Sequence, residues 1–147
     1  MRLATALLPA ATAAVLLSVP AAPAAAGKSK GPVRGAYTGA THQRDASGKT
    51  VYAGKVKVSL GPFSDPARVT RLELAAELAC DDGTTKRVSV KKVIYGPQLD
   101  KERRFHLLYE GVTMDGRFTN SGRVRGTFTW VDGTCRVSDV AWDARKR

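Results

Sequence analysis

Arg71-Leu72-Glu73-Leu74-Ala75-Ala76-Glu77-Leu78-Ala79-Cys80 is the stretch on which the fold turns. Leucine, alanine and glutamate are good helix formers, and Asp65-Pro66 upstream suits the first turn of a helix. The order of the residues favours a strand. Leu72, Leu74, Ala76, Leu78 and Cys80 alternate with Arg71, Glu73, Ala75, Glu77 and Ala79. A helix buries positions three and four apart, whereas a half-buried strand buries every second one. The unbroken alternation predicts a strand over 68–80, with a helix over 66–79 as the competing reading.

Outward from this stretch the same period recurs. Upstream, Val56, Val58 and Leu60 alternate with Lys55, Lys57 and Ser59, which predicts a strand over Val51–Leu60 with its lysines in water. Val33–Thr41 reads as an earlier strand, and Asp45-Ala46-Ser47-Gly48-Lys49 as the turn between the two. Downstream, Asp81-Asp82-Gly83 is a hairpin signal before a strand over Thr85–Tyr95. Gly96-Pro97 opens a polar loop through Arg103. Strands follow over Phe105–Val112, Met114–Phe118 and Arg123–Trp130, then Asp132-Gly133 turns the chain into Thr134–Ala144. Seven to eight short strands at this spacing predict an all-β domain, an antiparallel barrel or sandwich.

The amino-terminal region has a different character. Met1-Arg2, an apolar run to Val19 and the small-residue end Ala24-Ala25-Ala26 are the parts of a cleaved secretory leader. Prolines interrupt the run, and it is marginal for the roughly 20 apolar residues of a spanning helix. The expected organisation is a signal peptide over 1–26, a flexible lead-in over 27–34, the β-domain over 35–144 and a frayed basic tail over 145–147. The chain carries 24 Lys and Arg against 13 Asp and Glu, a net charge of +11. Removing the leader takes away only Arg2. Two cysteines in an exported chain favour one disulfide, Cys80–Cys135, over two free thiols.

The chain resembles small exported β-domains of unknown function from high-GC Gram-positive bacteria. The residues that carry the likeness are Gly35-Ala36-Tyr37-Thr38-Gly39-Ala40-Thr41, Cys80-Asp81-Asp82-Gly83, Asp115-Gly116-Arg117-Phe118, Val124-Arg125-Gly126-Thr127-Phe128, Gly133-Thr134-Cys135 and Trp142-Asp143-Ala144. The resemblance implies a strand at 68–80 and supports the cysteine pairing. It carries no activity. The Gly-x-Tyr-x-Gly-x-Thr opening is similar to the first strand of avidin-like or lipocalin-like barrels, without implying a ligand pocket.

Candidate chemistry is sparse. His106, Leu108 and Glu110 share one strand face, which would allow an acid–base pair for a small secreted phosphodiester or glycan hydrolase. Positions four apart on a strand are about 13 Å from each other, beyond hydrogen-bonding reach, so no catalytic residue is expected. Asp81, Asp82 and Asp132 fall short of the six to eight oxygens that calcium takes and are better read as turn residues. No nucleophile elbow, zinc motif, phosphate loop or dinucleotide fingerprint occurs, so neither metal nor cofactor is expected.

The cations give the one functional direction. Lys55 and Lys57 share a strand face, as do Arg123 and Arg125, and Lys91-Lys92 add to them. Should those strands be neighbours, they form a cationic surface. Such a field attracts anionic envelope polymers, acidic lipids or nucleic acid. Nucleic acid is the least natural of these outside a cell, and Tyr37, Phe118, Phe128, Trp130 and Trp142 read as core rather than stacking platforms. The expectation is a non-enzymatic exported domain, extracellular or wall-associated, binding an anionic ligand. The alternatives are the small hydrolase and a domain that binds or inhibits an extracellular protein.

Overall fold

The computed structural model describes residues 34–62 and 66–147. The expected leader, and the lead-in apart from Arg34, lie outside the described residues. Nine antiparallel strands follow: β1 (Gly35–Arg44), β2 (Thr50–Tyr52), β3 (Lys55–Leu60), β4 (Val69–Cys80), β5 (Thr85–Val93), β6 (Arg104–Tyr109), β7 (Val112–Phe118), β8 (Arg123–Asp132) and β9 (Cys135–Lys146). Among the described residues there is no helix.

The deciding stretch is a strand. Leu72, Leu74, Ala76 and Leu78 are all buried, facing the same core as Val56, Val58 and Leu60 of β3. Tertiary burial of every second side chain outweighs the helix propensity of Leu, Ala and Glu.

β1 pairs with β3 and β9, β3 with β4, and the end of β4 with the start of β9. These four strands form a closed ring. From β9 the sheet continues through β8 and β7 to β6, and from β4 to β5. The disulfide Cys80–Cys135 lies at the β4–β9 contact, where the two cysteines are cross-strand partners.

The count exceeds the expected seven or eight strands because Val51–Leu60 divides into β2 and β3. Gly54 leaves the ladder at the break: a Cβ there would lie 2.0 Å from the Ala75 carbonyl oxygen. Thr41 and Gly54 secure the break, the Thr41 N–H donating to the Gly54 carbonyl and the Gly54 N–H to Thr41 Oγ1, each at 2.8 Å. Beyond the break the Gln43 amide spans from β1 to β4. It donates to the Glu77 carbonyl at 2.7 Å and accepts the Glu77 N–H at 2.8 Å, standing where a strand would pair.

Three other boundaries depart from the sequence reading. β5 ends at Val93 rather than Tyr95, whose ring leaves the ladder and carries the Arg68 guanidinium 4.0 Å from its centroid. The turn expected near Thr113 falls at Glu110-Gly111, both in the left-handed region at φ 43° and 80°. This matches the two-residue hairpin geometry that the strand twist demands. The basic tail is largely strand, since Arg145 and Lys146 pair with Thr38 and Tyr37.

The two wings of the sheet close over one core. Tyr37 meets Phe118 edge-on with ring centroids 4.9 Å apart, and Phe105 lies between Phe118 and Trp142. Trp142 is in register with Gly126, and Gly126 with Gly116. A Cβ on Gly116 would lie 2.4 Å from the Phe105 ring and 2.9 Å from the Trp142 ring. The indole N–H donates to the carbonyls of Asp115 and Thr127 at 3.2 and 3.4 Å. Gly116 thus makes room for the aromatic centre of the core, and Gly126 for the β7 backbone.

Candidate anion-binding face

Strand alternation sends one set of side chains from β6, β7, β8, β9, β1 and β3 to the outside of the sheet. Register arranges them in rows. One row runs Arg104, Arg117, Arg125, Asp143, Ala40, Lys55. The next runs Arg123, Arg145, Thr38, Lys57, Glu73, Lys91. Arginine faces arginine at three successive cross-strand contacts: Arg104 with Arg117, Arg117 with Arg125, and Arg123 with Arg145.

Like charges directly opposite on a sheet destabilise it. Arg104 is offset by the carboxylates of Asp100 at 2.9 Å and Glu102 at 3.2 Å. Asp100 is itself held below the usual carboxylate range by the backbone N–H of Arg104, which with the Arg104 guanidinium outweighs the opposing effect of burial. Among the described residues Arg117, Arg123, Arg125 and Arg145 have no carboxylate within ion-pair distance. Four guanidinium groups outside any ion pair therefore share one region, with Asp143 the cross-strand neighbour of Arg125.

β3 and β8 are not neighbours; β9 and β1 lie between them. Lys55 is three strand steps from Arg125, about 14 Å. Lys57 and Lys91 flank Glu73 in the second row, where Glu73 also bonds Lys55 at 3.3 Å and Arg71 at 3.0 Å. Lys92 lies opposite Leu72 and so occupies the other face of the sheet from Lys91. Arg117 is not among the cations expected on this face, and Arg145 is expected only as part of a frayed basic tail. The alternation of Met114 and Phe118 with Asp115 and Arg117 is the signal that places Arg117 outward.

Both histidines are on this face, each with a carboxylate. His106 Nδ1 lies 2.7 Å from Asp115 Oδ1, its cross-strand partner. His42 Nε2 bonds Asp143 Oδ1. Glu110, the residue that shares the sequence face of His106, instead accepts the Tyr109 hydroxyl at 3.0 Å. His106 and His42 are four strand steps apart, about 19 Å. The three turn aspartates have other partners. Asp82 accepts the Thr84 N–H and hydroxyl, Asp132 pairs with Lys86, and Asp81 with Arg136.

Between the row of Asp115 and Thr127 and the row of Arg117 and Arg125 lies a trough with the inward-facing Gly116 and Gly126 beneath it. It encloses about 230 Å³, and Arg104 and Phe105 complete its lining. A second depression of about 460 Å³ adjoins it at Arg104, Phe105 and Asp115 and reaches His106 and Gln98. No family model, curated protein or solved structure matches the chain.

Proposed function

We propose that the protein is an exported binding domain that captures an anionic polymer, of the kind found in a cell envelope, on the outward face of β6–β9. The observation that carries this reading is the set of in-register arginines, Arg117 beside Arg125 and Arg123 beside Arg145, none of them in an ion pair. A solubility surface needs scattered charge; directly opposed arginines cost stability, and an anion bridging them would offset that cost. Lys55 and Lys57 extend the positive field further round the sheet. Export is supported by the leader pattern of residues 1–26 and by a disulfide, which persists in oxidising compartments.

Long-chain polyphosphate is the probe. Its binding should weaken steeply between 50 and 300 mM salt, because affinity for a polyanion scales with the counterions displaced. Replacing Arg123 and Arg145 together by serine should weaken binding at low salt and reduce the slope of log K against log salt by roughly 2. Binding indifferent to salt and to these arginines would overturn the reading.

The hydrolase alternative has one observation in its favour, the His106–Asp115 pair beside the arginine row. The second histidine is four strands away, about 19 Å along the sheet, and is bonded to Asp143 rather than set beside His106. Turnover of a phosphodiester substrate that His106→Gln abolishes would establish that alternative.

A further inference from the structure

The trough over Gly116 and Gly126 has two unlike walls. One presents Arg117 and Arg125, with Arg104 beside them, and the other presents Asp115 and Thr127. We propose that this trough is a specific site for a sugar or polyol bearing a phosphate ester, and that it reads one such unit of the anionic ligand. The inference rests on the anion-binding reading and deepens it.

The arginine wall supplies the phosphate contacts. Guanidinium groups are planar forks that hold phosphate oxygens two at a time, which a point charge does not do. Arg117 and Arg125 are adjacent across β7 and β8, so one phosphate reaches both. The opposite wall supplies hydroxyl contacts. Asp115 uses Oδ1 on His106 and has Oδ2 as a further acceptor, and the Thr127 hydroxyl both donates and accepts. Positions 116 and 126 face inward, so no side chain rises between the two walls and a ring can lie against the strands. At about 230 Å³ the space is smaller than drug-sized sites of roughly 300–1,000 Å³. It accommodates a single phosphorylated unit, while the rest of a chain passes on over the charged face.

Arg117, Arg125, Asp115 and Thr127 are all exposed, so replacing them leaves the core intact. Calorimetric titration with glucose 6-phosphate, inorganic phosphate and glucose tests the site. Glucose 6-phosphate should bind at least 10-fold more tightly than inorganic phosphate, and glucose alone should not bind measurably. Arg117→Lys and Arg125→Lys keep the charge and remove the fork. Each should weaken glucose 6-phosphate at least 5-fold. Thr127→Val should weaken glucose 6-phosphate about 3-fold and leave inorganic phosphate unchanged.

Equal affinity for glucose 6-phosphate and inorganic phosphate would overturn the specific site while leaving polyanion capture standing. So would lysine variants that bind glucose 6-phosphate as well as wild type. Failure of polyphosphate to bind at all would overturn both.

Discussion

At the scale of single residues, the two glycines under the trough carry most of the constraint. A Cβ on Gly126 would sit 1.8 Å from the carbonyl oxygen of Asp115, a backbone atom that cannot yield without separating β7 from β8. Gly126→Ala should therefore cost roughly 3 kcal/mol, at the upper end of what overpacking does. Thr127→Ala, next in sequence but exposed, should stay within about 0.5 kcal/mol. Urea unfolding of the two variants checks the contrast, and equal stability would show that β7 and β8 approach less closely than described. The glycines are visible in the sequence, but their reason is not. Nothing in Asp115-Gly116-Arg117 announces that Gly116 faces Gly126 across one ladder and that Trp142 lies beyond it. That knowledge needs register.

At the scale of elements, the sequence is most legible where burial is one-sided. The alternation in 55–60 and 71–80 identifies both strands and the face each buries, because a period of two has only one way to hide its apolar half. It is least legible where a strand is interrupted without a change of composition. The Gly54 break depends on Ala75, 21 positions on, and the Gln43 bridge on Glu77, 34 positions on. Register also explains Glu73. It is buried on the outward face of β4, among Lys55, Lys57, Arg71 and Lys91. Burial alone would raise its pKa, but the hydrogen bond from Lys55 and the charges of Lys55, Lys91 and Arg71 outweigh it, and the carboxyl titrates below its usual value. A carboxyl that is easier to ionise in the folded protein contributes stability above the ordinary glutamate range, and that contribution is lost as pH falls through the folded-state value. Glu73→Gln should cost about 1 kcal/mol at neutral pH. The variant should also lose less stability than wild type between pH 6.5 and 3.5. Parallel curves for the two proteins would remove Glu73 from the acid response.

At the scale of the whole molecule, the candidate face belongs to no single segment. Its arginines come from β6, β7, β8 and β9, and its lysines from β3 and β5. Composition shows the excess of positive charge, while only topology shows Arg123 meeting Arg145 or Lys92 parting from Lys91. The ring that sets this topology is fastened at Cys80–Cys135, 55 positions apart. Replacing both cysteines by alanine should cost about 4 kcal/mol by the chain-entropy estimate and lower Tm by roughly 10–20 °C. Calorimetry of the alanine variant and of the reduced wild type should agree. A shift under about 3 °C in both would mean that the ladders close the ring unaided.

The central place of β9 carries a consequence for how the chain matures. This strand bonds to β8 along one edge and to β1 and β4 along the other, yet it follows every other described strand in the chain. A polypeptide emerging amino end first joins β1 to β3 early, but meets β1's other long partner only when β9 emerges. Until β9 is free, the growing chain has two unjoined halves, β1 to β5 and β6 to β8, and no finished enclosure.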